Sequence, residues 1–414
     1  MSKDILWDVI IVGAGAAGLM TAIVCSEQGL KVLLLDGQDK IGLKILISGG
    51  TRCNVTNLEV TEKDFQSENL IYVRHILKAF SAKKARDFFE SIGVQLISED
   101  NGKLFPSTNS AQTVLDNLLK KIKNNKVLLK NNTKVTNITW SDSIFHVFGE
   151  DFEYISKTVV ICTGGLSYPK TGSDGVGYRL ARQFDHSLVF TSPSLAPLIT
   201  TDDEWKSLSG ITLSCCLSFY ENNKKQVSYA GSFLFTHFGY SGPCVLDISR
   251  HWLRSMSDQK EIRANFLPQE NPDSLRQLLI DTAQVRSRLS IKSFLTQRMP
   301  ERFVDVFLKK IEVSGFIVLC ELKRTDREKI IRYIMDCPLA VIGSLGYKKA
   351  EVTAGGVCLK ELNAATLESK LQPGLFFAGE ILDVDGRIGG FNFQWAWSSG
   401  YVAAKGVVQK LLTC

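Results

Sequence analysis

The chain opens on a short apolar run, DVIIV at 8–12, with the length and make-up of a buried parallel strand. Gly13-Ala14-Gly15-Ala16-Ala17-Gly18 follows, then LMTAIVCSEQG, a helical pattern ending at Gly29. The next apolar run, KVLLLD, is a second strand that closes on Asp36. The order is strand, glycine turn, helix, strand, acid. Further on, 70–93 carries the spacing of an amphipathic helix, EDNGKLFP at 99–106 reads as a hairpin with an Asn-Gly turn, and 126–160 alternates like short strands. Near 190 the pattern changes. ITLSCCLSFY and SYAGSFLFTHFG read as strands of a small β domain. From 270 to 335, SRLSIKSFLTQ and ERFVDVFLKKI place apolar residues three and four apart, as helices do. EVTAGGV, soon after Lys349, returns to the first domain.

Each glycine of the first turn has a mechanical reason. Gly13 permits the tight turn, Gly15 lets backbone approach a pyrophosphate, and Gly18 lets the helix lie against the strand. The helix N-terminus, at Ala16 and Ala17, then faces two phosphates. Asp36, with Gly37 beside it, is placed to accept from a ribose 2′-OH. This acid argues against a 2′-phosphate but does not separate FAD from NAD. Later glycine-rich pieces favour FAD, an extended ligand served by several loops.

The first of these, KIGLKILISGGTRCNVTN at 40–57, sets Lys44, Ser48, Gly49, Gly50 and Asn54 in or beside a flexible loop. Such a loop can show backbone N–H groups to a flat ring or a phosphate. TVVICTGG stops a buried strand at Thr163, Gly164 and Gly165, and TGSDGVGYRLA opens a helix that Asp174 can cap. LFFAGEILDVDGRIGGFNFQWAWSSG, 375–400, breaks at Gly379-Glu380, passes Asp385, and enters a helix at Gly389-Gly390 with Asn392, Phe393 and Gln394. Glu380 is placed for a ribityl or ribose hydroxyl. The glycine pair and the helix dipole are placed for the pyrimidine edge of a flavin. The predicted fold is α/β: a Rossmann-type FAD-binding domain, 1–190 and 343–414, with an inserted domain at 191–342. The insert has a β part, about 191–260 and 335–342, and a small, basic helical part, about 261–334.

Composition narrows the class. Hydrophobic residues make up 44% and charged residues 22%, as in ordinary globular proteins. Val9 to Cys25 is apolar, but its spaced glycines explain it better than a membrane span. Ten cysteines without a CxxC, and five histidines without metal-binding spacing, point to a reducing, cytoplasmic setting and no protein-held metal. The net charge is +6, and 260–332 holds 15 Lys or Arg against 10 Asp or Glu. That excess is either a solvated helical face or a surface for a polyanion.

Three residues are candidates for chemistry. Cys53 sits in the glycine loop beside Arg52, which would lower a thiol pKa; alternatively it only lines the pocket. His237, among the aromatics of FTHFGYSGP, can donate to a carbonyl or pass a proton, or can be a structural histidine. Arg52 or Asn54 can hold a substrate carbonyl or the flavin ring.

VIIVGAGAAGLMTA, ISGGTRCNVTN, FTHFGYSGP, EVTAGGV and the 375–400 segment together resemble the BaiN-like, or HI0933-like, flavoprotein family across the whole chain. Thr51 departs from a third glycine common there, and SDG at 173–175 departs from Ser-Thr-Gly-Asp-Gly. The resemblance implies an FAD enzyme fed by NADH or NADPH that reduces electron-poor C=C bonds. One branch of the family resembles a dihydrouridine synthase of large-subunit ribosomal RNA. Another resembles a reductase of steroid-type enones. The basic insert favours the RNA branch. A small-molecule enone, another flavin oxidation or reduction, and a non-enzymatic flavin-bearing RNA-binding module are the alternatives. No second GxGxxG marks a separate nicotinamide domain. The oligomeric state is not legible.

Overall fold

The computed structural model describes residues 5–412. The chain divides into two compact units, Met1–Ser192 with Glu351–Cys414, and Pro193–Ala350. The return crossing falls at 350 and not at 342, because Gly343–Ser344 hydrogen-bonds to Leu198–Ile199 within the inserted sheet.

In the first unit, β1 (Leu6–Val12) and β2 (Val32–Leu35) run parallel, with Val12 opposite Leu35. On its other side β1 pairs with Glu153–Ile161, Val12 opposite Ile161. That long strand is shared along its length. Its first residues take Ile144–Phe148 antiparallel, and its last three take Leu375–Phe377 parallel. Val9, Ile10 and Ile11 are successive and all fully buried, so both faces of the sheet are covered. Val12, Leu35, Ile161 and Phe377 therefore end side by side, and the segments that follow them gather at one edge of the sheet. This is where open α/β sheets bind ligands.

The chain's two ends lock together through helices. α1 (Ala16–Glu27) lies against the C-terminal helix Phe391–Leu412 at Gly400, where a Cβ would stand 2.6 Å from the Ala17 carbonyl oxygen. Thr21 Oγ1 donates to both Ala17 O and Gly400 O, at 2.8 and 3.1 Å. The expected single helix at 70–93 is two, Leu70–Ala79 and Ala82–Ser91, because Ser81 caps the second by accepting from Lys84 N. The Asn-Gly hairpin is present, with Asn101 at φ +61 between the strands Leu96–Ser98 and Lys103–Pro106.

The inserted unit is built on a seven-stranded antiparallel sheet. Its centre is the hairpin Thr212–Glu221 and Lys224–Thr236, turned by Asn222 and Asn223, both left-handed. The sheet takes in Lys260–Asn265, so the helical part begins only at Pro272. The helix Pro243–Arg254 was not anticipated. Sheet and helices share one core, in which Trp205 stacks on Phe235 at 5.5 Å and Phe266 meets Phe303 at 4.9 Å. No helix among the described residues is long and apolar enough to cross a membrane.

Candidate functional site

The first turn is a cradle with one open wall. A Cβ on Gly13, at φ +102, would meet Cys162 O at 2.6 Å, and one on Gly18 would overlap Gly13 O at 1.8 Å. Gly15 has no protein atom within 4 Å of that position. Its residue caps α1 without any side-chain acceptor, so the N–H groups at Ala16 and Ala17 open the helix uncapped. Asp36 closes the cradle. Its Oδ2 accepts from Ala14 N at 2.7 Å and its Oδ1 from Gln38 N at 2.8 Å, past the exposed Gly37. Burial raises its pKa, and these two bonds pull it partly back. Each oxygen keeps a lone pair for a hydroxyl donor. The donors, the acceptor and the open face at Gly15 fit the pyrophosphate and ribose of a dinucleotide.

The second loop follows a turn of left-handed residues. α2 (Leu43–Thr51) is helical only at its start, then turns through Gly49 and Gly50, both left-handed, into Thr51 at φ +69. Ser48 Oγ donates back to Ile45 O at 2.8 Å. Cys53 is left-handed too, at φ +60, and its thiol is fully buried. Burial pushes that thiol up to about 12, against the lowering expected from Arg52. Arg52 is engaged elsewhere. It forms a two-pronged pair with Glu99 at 2.6 and 3.3 Å, and its guanidinium lies 4.1 Å above the Phe105 ring. The pair with Glu99 uses two of its five N–H donors. Asn54 is buried and bridges loops: with its amide oriented to satisfy its neighbours, Nδ2 donates to Thr56 O at 2.9 Å and Oδ1 accepts from Gly390 N at 3.0 Å.

Several C-terminal candidates also hydrogen-bond within the protein. Glu380 accepts from Thr353 N at 3.0 Å and from Ser167 Oγ, and forms an ion pair with Lys44. Lys44 Nζ also donates to Ser167 Oγ at 2.6 Å. Glu380 is thus the centre of a side-chain knot. Asn392 clamps Gly386 through both N–H and C=O, at 2.8 and 2.9 Å. Gln394 accepts from Thr56 Oγ1 at 2.6 Å and donates to Phe80 O at 2.9 Å. Phe393 stacks on Trp397 at 5.6 Å. Asp385 is buried and pairs in a short ladder with Gln66. Gly389, at φ +131, receives Asn57 on its carbonyl at 3.1 Å, and Gly390 lies against Thr56 O. Gly379 follows the strand end Leu375–Phe377 and receives the Trp395 indole N–H at 3.0 Å.

Thr163, Gly164 and Gly165 lie at the strand end beside Gly13, as expected of a floor beneath a cofactor. Sequence reasoning missed Ser167 and Thr353. Thr353 Oγ1 accepts from both Leu166 N and Ser167 N, at 2.8 and 3.1 Å, and so fixes the Gly164–Gly165 turn. The available signal was a hydroxyl inside the otherwise apolar EVTAGGV run. His237 belongs to the inserted unit. It is exposed at the turn between Lys224–Thr236 and Gly239–Ser241, edge-on to Phe238 at 5.0 Å. Among the described residues, no cluster of three or more His, Cys, Asp or Glu side chains could hold a metal.

These features define a class, the Rossmann-type FAD-binding fold with an inserted antiparallel sheet, and that fold implies a flavin cofactor. The Sdh1 complex of Mycobacterium smegmatis in its apo form shares the fold, with a TM-score of 0.51 at 16% identity over 99% of this chain and 69% of that one. The chain belongs to the family described as the HI0933-like protein Rossmann domain, which matches residues 7–406. It is 33% identical over 405 residues to the ribosomal RNA dihydrouridine synthase of Escherichia coli, covering 97% of this chain and 98% of that protein. It is 30% identical over 404 residues to the 3-dehydro-bile acid delta(4,6)-reductase of Clostridium scindens, again covering 97% and 98%.

Proposed function

We propose that this protein is an FAD-dependent reductase of an activated C=C bond, and that its substrate is a uridine of large-subunit ribosomal RNA, reduced to dihydrouridine at the expense of NADH or NADPH. Full-length relatives of both kinds, acting on RNA and on a bile acid, support reduction of an enone-like unit. The observation that carries the choice of RNA is the basic excess of 260–332, which a steroid does not need and a polyanion does. A uridine inside folded RNA must also be splayed out, and basic contacts on each side hold it there.

The chemistry FAD supplies is hydride transfer to the β carbon of a C=C–C=O unit. The chain's own residues do the rest. The α1 N-terminus and Gly15 would hold the pyrophosphate, and Asp36 would hold the ribose. A side chain must hand a proton to the α carbon, and a donor must face the carbonyl oxygen as charge develops there. Cys53 suits neither task, being sealed from solvent and reluctant to ionise. His237 is exposed and remains the candidate acid.

The test is incubation of the purified flavoprotein with unmodified large-subunit ribosomal RNA and NADH or NADPH, scored by mass spectrometry for two added hydrogens on a uridine. His237→Ala should slow the reaction about 100-fold or more, the usual worth of a positioned acid. Cys53→Ala should leave the rate within a few-fold. A ready reduction of the bound flavin with no RNA product, but turnover of a steroid enone, would establish the second reading. A flavin that neither nicotinamide reduces would point to a binding module.

A further inference from the structure

Part of the basic charge of the insert is paired off. Arg263, Arg276, Lys292 and Lys310 each hold two carboxylates and are neutralised inside the unit. Arg286, Arg288 and Arg298, like Arg302, Lys323, Arg324 and Arg332, are exposed and form no ion pair among the described residues. Arg286 and Arg298 line one groove, of about 310 Å³, between the helices Pro272–Val285 and Ile291–Thr296. Arg286 stands on one side. On the other, the Arg298 guanidinium carbon lies over the Phe294 ring, 4.3 Å from its centroid, and Nη1 donates to Phe294 O at 3.1 Å. A guanidinium fixed on an aromatic face leaves its outer face as a flat, cationic platform. Val285 forms the apolar wall and is 84% exposed. Asp281 is the acidic member of the lining, held by Gln277 Nε2 at 2.7 Å. At the start of the helix Ile291–Thr296, Lys292 N bonds to Gly315 O at 3.1 Å, which ties the loop carrying Phe316 to that helix; the Phe316 ring is 89% exposed.

We propose that this groove is a single-stranded RNA site. A base stacks on the Arg298 platform against Val285, its neighbour stacks on Phe316, and the intervening phosphate meets Arg286. The proposal rests on the reading of the protein as an RNA reductase and names the surface that would grip the strand. Stacking on arginine planes and aromatic rings is how unpaired RNA bases are held without regard to sequence. Asp281 decides between nucleic acids. A phosphate is repelled by it, whereas a ribose 2′-OH can donate to it, so RNA should bind better than DNA.

The experiment measures binding of the holoprotein to a fluorescein-labelled single-stranded oligouridylate, and to its deoxy counterpart, across a salt series. Arg286→Gln with Arg298→Gln should weaken RNA binding about tenfold or more and flatten the salt dependence by about 0.7 per arginine. Phe316→Ser should weaken it about tenfold with the salt slope unchanged. Charge reversal at Lys224 and Lys225, exposed on the central hairpin, should change little. Flavin reduction by nicotinamide and circular dichroism establish that the variants are folded. Wild-type affinity in both groove variants, an equal loss in the hairpin control, or no RNA binding by the wild type would each overturn the groove. If the wild type makes dihydrouridine while the groove variants do so equally well, the groove falls and the enzymatic reading stands. If RNA binds through the groove but only a steroid enone is reduced, the groove stands and the substrate reading falls. Equal affinity for the deoxy strand would remove Asp281 and the 2′-OH from the proposal and overturn its choice of RNA.

Discussion

Thr51 holds a left-handed backbone, φ +69, that β-branched residues avoid. Its departure from a glycine-rich loop was visible in the sequence, but its cost was not, because only the structure shows three successive left-handed residues from Gly49 to Thr51. Strain of this kind is worth roughly 1–3 kcal/mol, and glycine gives back about 0.5–1 kcal/mol in chain entropy. Thr51→Gly should therefore stabilise the protein by about 1 kcal/mol, read as a higher urea midpoint at unchanged slope. A lower midpoint would mean that the Thr51 hydroxyl, bonded to Gly50 O at 2.5 Å, outweighs the strain. Two residues on, Cys53 gives a second residue-scale expectation. Its buried thiol should resist alkylation in the native protein while the exposed Cys320 reacts, as mass mapping of labelled peptides would show.

At the scale of elements, the strand–turn–helix from Leu6 to Glu27 separates folding from binding within one motif. Gly18 and Gly15 look alike in sequence. A methyl at Gly18 has nowhere to go, since Gly13 O stands 1.8 Å away. A methyl at Gly15 meets nothing, and the residue's φ of −79° suits any side chain. Gly18→Ala should thus yield unfolded or aggregated protein. Gly15→Ala should keep the circular dichroism and melting of the wild-type apoprotein yet lose FAD absorbance on purification. A Gly15→Ala protein that retains full flavin would mean that the cradle does not hold the pyrophosphate. The motif was legible because an apolar run, spaced glycines and a closing acid are all local. The helix Pro243–Arg254 was missed because it follows a turn segment, and Pro243, its first residue, reads more readily as loop. The knot of Lys44, Ser167, Thr353 and Glu380 was out of reach for another reason. Its hydrogen bonds join residues 123, 213 and 336 positions apart, and no periodicity records such pairings. Glu380, Asn392 and Gln394 stand out in the sequence as polar residues in a glycine-rich setting. Their partners are the protein's own backbone and side chains, which composition alone does not distinguish from a ligand.

For the whole molecule, two separate cores mean that unfolding need not be a single transition, and pH gives a way to address the inserted one. His251 lies on the helix Pro243–Arg254 with Nε2 3.1 Å from the Tyr229 hydroxyl. Burial, helped by the charge of Arg250, lowers its pKa from 6.5 to about 4. A base whose pKa is lower in the folded state stays neutral there while the unfolded chain takes up a proton. The contribution to stability is therefore complete above about pH 6.5, declines as pH falls towards 4, and changes no further below that. His186 in the first unit acts in the same direction. Burial lowers it, opposed by Glu361, whose carboxylate bonds Nδ1 at 3.0 Å, while Ser369 meets Nε2 at 2.8 Å. This Glu–His–Ser row resembles a catalytic relay, but its histidine is sealed in the core and its serine already accepts from Leu371 N and Gln372 N. It adds acid sensitivity to the FAD-binding unit and no chemistry. His251→Gln keeps a polar group for Tyr229 and removes the titration. Urea midpoints of the inserted unit, followed by hydrogen exchange of its peptides, should fall between pH 6.5 and 4 in the wild type and fall distinctly less in the variant, while the first unit's peptides keep the same pH profile in both proteins. Parallel pH profiles in the two proteins would show that His251 is protonated in the folded unit as readily as in the unfolded chain.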